Sequence, residues 1–197
     1  TRIGRRDLVF LTLLYATAAR LDEIRSIKLD DIHLEAAKPY LSLHGKGKKI
    51  RTAYLLPRAV ALLQAYIKET YGQTGGTDAL LFPSRVSGHG KLTEAALDKR
   101  IKTYAAQANV HCKDVPLNTH AHLFRHAKAS HWIEDGLSIV EIQFLLGHEQ
   151  IETTMRYLDI TTEDKVKALA TLESETEKGT EKKWKKDPEA LVDFCGL

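Results

Sequence analysis

Cysteine is scarce in this 197-residue chain, which holds only Cys112 and Cys195, far apart and in no CxxC pair. That usage excludes a disulfide framework and a zinc ribbon, and it fits a reducing compartment. No apolar run approaches the roughly 20 residues a membrane-spanning helix needs, so a soluble, cytoplasmic protein is expected. An excess of one charge is lacking too: 29 Lys and Arg against 26 Asp and Glu leave a formal net charge of +3. This mild basicity permits a nucleic-acid partner without arguing for one. The opening residues, Thr1-Arg2-Ile3-Gly4-Arg5-Arg6, contain no initiator Met and no signal-peptide pattern, and they read as the start of an excised piece. No internal repeat is visible. The length suits one compact domain with a real core rather than two large ones.

What is present reads as mostly helical with a small antiparallel sheet. Asp7 to Ile27 has helical periodicity with a break near Ala18-Ala19; Leu8, Leu11, Leu14 and Tyr15 share one face. Tyr40–His44 and Ile50–Leu55 flank the glycine-containing turn Gly45-Lys46-Gly47-Lys48-Lys49, a hairpin signal. Pro57 suits the first turn of a helix to about Thr70, stopped by Gly72, and Ala79–Phe82 reads as a third short strand. Thr93 and Thr119 are expected to cap helices. Ser138-Ile139-Val140-Glu141 is a capping box for a helix that Gly147 closes. Further helical turns are expected over Glu152–Leu158 and Glu163–Leu172. The domain is expected to span residues 1–175, followed by a charged linker and tail, 176–197, where Leu191, Val192 and Phe194 form an apolar cluster able to dock.

Four groups of residues carry candidate chemistry. On a helix, His122 and Arg125 are three apart and address one ligand together, a guanidinium fork matching two phosphate oxygens beside an imidazole that moves protons at neutral pH. The plain alternative is a surface helix with an incidental histidine. His148 follows Gly147 at a helix mouth, and nine residues later Tyr157 stands in a short polar turn. A tyrosine hydroxyl forms a covalent intermediate when its proton is removed and the phosphate charge is stabilised; most tyrosines merely pack. Arg20 follows the small residues Ala16 to Ala19, with Glu23 placed to orient it; a surface ion pair would explain them equally well. Lys46 in the hairpin turn is a cation able to enter a DNA groove, or a solvated lysine like Lys48 and Lys49.

In this order, Arg20, the lysine hairpin, His122-x-x-Arg125-His126, Leu146-Gly147-His148 and Tyr157 resemble the tyrosine recombinases, the phage-integrase family. Leu29-Asp30-Asp31-Ile32 and Gly45-Lys46-Gly47 add to the likeness, which runs from about Asp7 to Thr161. The resemblance implies a recombinase catalytic domain, bacterial or phage and nucleoid-associated, acting on double-stranded DNA for a mobile element or phage and self-assembling as a dimer or tetramer. It implies metal-free, cofactor-free transesterification. Arg20 and Arg125 clamp the scissile phosphate, Tyr157 attacks to give a 3′-phosphotyrosyl bond, and His122 assists proton transfer. His148 donates a hydrogen bond, Lys46 protonates the leaving 5′-oxygen, and Glu23 supports the site. Family members often have Gly-Leu where this chain has Ala18-Ala19. They usually also carry an N-terminal helical DNA clamp, for which this chain starts too late, so weakened site-specific binding is expected.

Other readings compete. His120, His122, His126 and His131 are close enough in sequence for a zinc hydrolase, but there is no His-Glu-x-x-His. A DNA-binding module without catalysis and a type IB topoisomerase with the same active-site logic are the remaining alternatives.

Overall fold

The computed structural model describes residues 1–45, 47, 49–72, 76–84, 90–155 and 157. Lys46, the helix expected over 163–172, and the tail with Leu191, Val192 and Phe194 lie outside them. The helices are α1 (Arg2–Ala16), α2 (Leu21–Arg25), α3 (Pro57–Tyr71), α4 (Glu94–His111), α5 (Ala121–Glu134) and α6 (Ile139–Leu146). The strands β1 (Ile32–His33), β2 (Tyr40–His44) and β3 (Ile50–Tyr54) form one antiparallel sheet in that order. Residues 152–155 and 157 are also helical. These elements belong to a compact unit, Thr1–Tyr157. No helix among the described residues is long and apolar enough to cross a membrane.

Local chemistry accounts for most boundaries. The Thr93 hydroxyl caps α4 by accepting from Ala96 N–H, and Ser138 with Glu141 forms the expected box on α6. Pro57 opens α3, and Gly72 and Gly147 stop α3 and α6 at positive φ, where a side chain is disfavoured. Thr119 is not a cap. Its backbone N–H and hydroxyl both bond back to Pro116 O, so α5 starts one residue later with His120 at the cap. Ala79–Phe82 is not a strand either: Leu80 makes only an isolated bridge to Lys28. Consecutive Leu81 and Phe82 are both fully buried, which two-residue alternation forbids on a half-exposed strand. The third strand is instead Ile32–His33, paired with Leu41 and Tyr40.

The buried face of α1 is Val9, Phe10, Leu13 and Leu14, whereas Leu8 is exposed. The stripe is rotated from the expected one because α1 packs against both α3 and α5. Each fully enclosed leucine contributes about 2 kcal/mol relative to exposure. One large cluster gathers α1, α3, α4 and the inner sheet face. A smaller one joins Ala18, Ala129, Ile133, Ile142, Leu146 and Tyr157. Ala18, in the smaller cluster, and Ala19, in the larger, immediately precede Arg20.

Candidate active site

The break between α1 and α2 sets the site. Ala18 adopts φ +47°, a left-handed conformation that costs a non-glycine residue about 1–2 kcal/mol. Ala18 belongs to the smaller cluster and Ala19 to the larger, so Arg20 emerges between them with its side chain 44% exposed. Glu23, one turn on, is only 3% exposed. Its carboxylate accepts from the Arg20 backbone N–H at 3.0 Å, the Arg20 guanidinium at 3.1 Å and the Arg51 guanidinium at 3.0 Å. Burial pushes the Glu23 carboxyl upward, but Arg51 and Arg20 outweigh it and hold it below its ordinary pKa. This is a buried ionised carboxylate, not the surface pair that spacing alone allows.

Two arginines staple the C-terminal ends of α1 and α6. Arg125, 2% exposed on α5, donates to Ala18 O at 2.6 Å and Leu146 O at 2.7 Å. Arg51, on β3, donates to the preceding carbonyl of each end, Thr17 O at 3.3 Å and Leu145 O at 2.8 Å. Helix C-termini carry orphan carbonyls and partial negative charge, which cations satisfy. Burial first, then the like charges of Arg20 and Arg51, lowers the Arg125 pKa to about 10; the group remains protonated at neutral pH. Gly147 lies so close that an added Cβ would stand 2.9 Å from Arg51 Cδ.

His148 follows this junction. Its backbone N–H bonds Gln143 O, its carbonyl accepts from Gln143 Nε2, and its Nδ1 lies 2.8 Å from Thr154 Oγ1. Burial, then Arg125, Arg20 and Arg51, pushes its pKa down to about 4. His122 is lowered by burial, then by His126, Arg125, His120 and Arg20. Both rings are therefore neutral at physiological pH. Tyr157 is 4% exposed and packs in the smaller cluster, not in the polar turn its neighbours suggest. It lies near enough to Arg125 to strengthen that group's hold on its proton. His126 stands between the other two rings, 5.5 Å from His122 and 5.3 Å from Tyr157 by centroid.

Arg20, Glu23, His122, Arg125, His148 and Tyr157 are thus brought into one neighbourhood; Lys46 lies outside the described residues. Arg20, Arg51 and His148 line a cleft of about 590 Å³, with Lys49 and Glu149 paired across it. Three guanidiniums less the Glu23 carboxylate leave two positive charges here, a field suited to a phosphodiester approaching a doubly charged transition state. Of the four histidines weighed as zinc ligands, two have other partners: His131 bonds Tyr15 OH and His120 bonds Asn118 O. Among the described residues no three His, Cys, Asp or Glu gather to hold a metal. Arg51 escaped the sequence reading, and His126 entered it only as part of the motif after Arg125 and as a zinc alternative, with no role at the site. Strand parity was a usable signal for Arg51, which shares its face with buried Ala53.

The chain matches the Phage integrase family over residues 2–164. It is 35% identical over 165 residues to tyrosine recombinase XerD of Proteus mirabilis, covering 82% of this chain and 50% of that protein. With tyrosine recombinase XerC of Chlamydia caviae it shares 32% identity over 158 residues, 80% of this chain and 48% of that one. Its fold is similar to XerH site-specific recombinase in a post-cleavage complex with palindromic difH substrate, at TM-score 0.71 and 23% identity, covering 88% and 47% of the two chains. The Tn1549 transposon integrase in complex with transposon right end DNA gives 0.62 and 18%, covering 83% and 58%. The chain spans about half the length of the curated relatives it matches.

Proposed function

Since this chain belongs to the phage integrase family, we propose that it is the catalytic part of a recombinase that cuts and rejoins double-stranded DNA through Tyr157. The observation that carries the reading is a cleft lined by Arg20, Arg51 and His148, with Arg125 buried beside it and His122 and Tyr157 within electrostatic reach of Arg125. Arg20, exposed in the cleft, and Arg125, buried beside it, stabilise the non-bridging oxygens as negative charge grows. The Tyr157 oxygen attacks phosphorus, the bond to the 5′-oxygen breaks, and a 3′-phosphotyrosyl ester forms. The phenolic proton passes to the His122 side of the site, while Lys46 protonates the departing 5′-oxygen. His148 donates a hydrogen bond to the phosphate, and Glu23 holds Arg20. Tyr157 is 4% exposed, so attack requires that its hydroxyl first be presented to the phosphate.

A 5′-hydroxyl from a second duplex reverses the step, so exchange needs no nucleotide cofactor but does need copies of the chain assembled as a dimer or tetramer on DNA. The role served is that of a mobile element or phage. A nicked suicide duplex tests the chemistry: the wild-type chain is expected to form a covalent adduct, and Tyr157→Phe none. An equal adduct with the phenylalanine variant would falsify the assignment. For Lys46→Ala, a 5′-bridging phosphorothiolate, whose sulfur leaves without an acid, is expected to restore cleavage. Failure of that rescue removes the general-acid role.

A further inference from the structure

We infer that Thr154 is a positioning residue whose hydroxyl donates to His148 Nδ1, fixing the ring as the Nε2–H tautomer with that N–H presented to the cleft. The purpose assigned to that donor rests on the reading of the cleft as a phosphodiester site; the tautomer itself does not.

Thr154 is fully buried, and its Oγ1 lies 2.8 Å from Nδ1 of His148. Threonines in helices readily bond a carbonyl of the preceding turn, as Thr17 does to Leu13 at 2.7 Å and Thr103 to Lys99 at 2.8 Å. Thr154 stands in the helical residues 152–155 yet turns to the imidazole instead. Among the described residues its hydroxyl has no other bond. Two proton arrangements are available. With hydrogen on Nδ1, the ring donates to Oγ1 and leaves the Thr154 hydroxyl as a buried donor without an acceptor, the costlier state. With Nδ1 bare, the hydroxyl donates to it, both groups are satisfied, and the neutral ring carries its proton on Nε2.

Tautomer choice matters only while the ring is neutral, and burial with three neighbouring guanidiniums keeps it so. Gln143 already clamps the His148 backbone through both its N–H and its carbonyl. The bond to Thr154 removes the remaining freedom, that of the ring. A mobile or wrongly protonated imidazole would turn a lone pair, not a donor, toward an anionic phosphate. A threonine that merely fills space would have no such effect.

The test is long-range ¹H–¹⁵N NMR of the full chain labelled in histidine, with the His148 signals assigned by their loss in His148→Gln. At neutral pH the wild type is expected to show a bare Nδ1 and a protonated Nε2. Thr154→Val, which keeps the shape and removes the hydroxyl, is expected to move the bare Nδ1 resonance to that of a nitrogen accepting no hydrogen bond and to free the ring, and Thr154→Ser to restore the wild-type pattern. On the suicide duplex, the valine variant is expected to form adduct roughly ten- to a hundredfold more slowly at unchanged DNA affinity, with serine close to wild type. A wild-type ring protonated on Nδ1, or a valine variant whose Nδ1 resonance is unaltered, overturns the inference. Should Thr154→Val fail to fold, the wild-type and serine spectra still decide. The expected spectra from a wild-type chain that forms no adduct would sink the proposed chemistry and leave the tautomer standing.

Discussion

Glu23 shows at the scale of one residue how the site is held charged. A carboxylate 3% exposed is tolerable only because Arg20 and Arg51 both reach it. Glu23→Gln keeps the shape and removes the charge, and is expected to cost about 3 kcal/mol at neutral pH, as removal of one partner from a buried pair does. The folded carboxyl lies below its ordinary value of 4.5. Its contribution is therefore complete above pH 4.5 and is lost as pH falls through the lower folded pKa. Urea unfolding of both proteins across that range is expected to show the wild-type advantage shrinking in acid; a gap that widens would contradict the assignment. The motif residues were legible because their spacing is local. Arg51 was hidden because its acceptors, Thr17 O, Leu145 O and Glu23, are brought to it only by folding.

Among the elements, the junction of α6 with the turn after it is the most constrained. Gly147 has φ +65°, and its missing side chain faces Arg51. Gly147→Ala adds left-handed strain and a contact that displaces the arginine, together costing about 2 kcal/mol. For a unit of this size that lowers the melting temperature by roughly 5 °C, and cleavage falls further because the α1–α6 staple loosens. Calorimetry alongside adduct kinetics tests this; loss of stability with unchanged kinetics would dissociate Arg51 from the site. Caps and stops such as Thr93, Ser138 and Gly147 were readable because each satisfies its own helix. Thr119 and Ala79–Phe82 were misread because the deciding partners are a neighbouring turn and a core on both sides.

For the whole molecule, a net charge of +3 spread over 197 residues is a weak attractor for DNA. What counts is where the cations gather, and Arg20, Lys49 and Arg51 line the same cleft. Contacts to roughly four phosphates release as many counterions, so affinity is expected to drop about a hundredfold between about 50 and about 200 mM salt. A titration of fluorescent duplex measures the slope, and Arg20→Ala is expected to make it shallower by about one unit. A salt-independent affinity would remove this cleft as the phosphate-binding surface. Sedimentation of the same complexes is expected to show two or four chains per DNA; a strictly single chain would contradict assembly.

The amino-acid order by itself settled the helix-rich class, the hairpin and most helix ends, since these follow from periodicity, capping and turn chemistry within a few residues. It also supplied the ordered Arg, His and Tyr motifs, because their spacing is written along the chain. Only tertiary structure decided that Glu23 is ionised in the interior, that Ala18 takes a glycine's conformation, and that Arg51, His126 and Thr154 join the site. The reason is physical: burial, charge and hydrogen bonding at these positions depend on partners remote in sequence, and those meet only when α1, β3, α5 and α6 pack together.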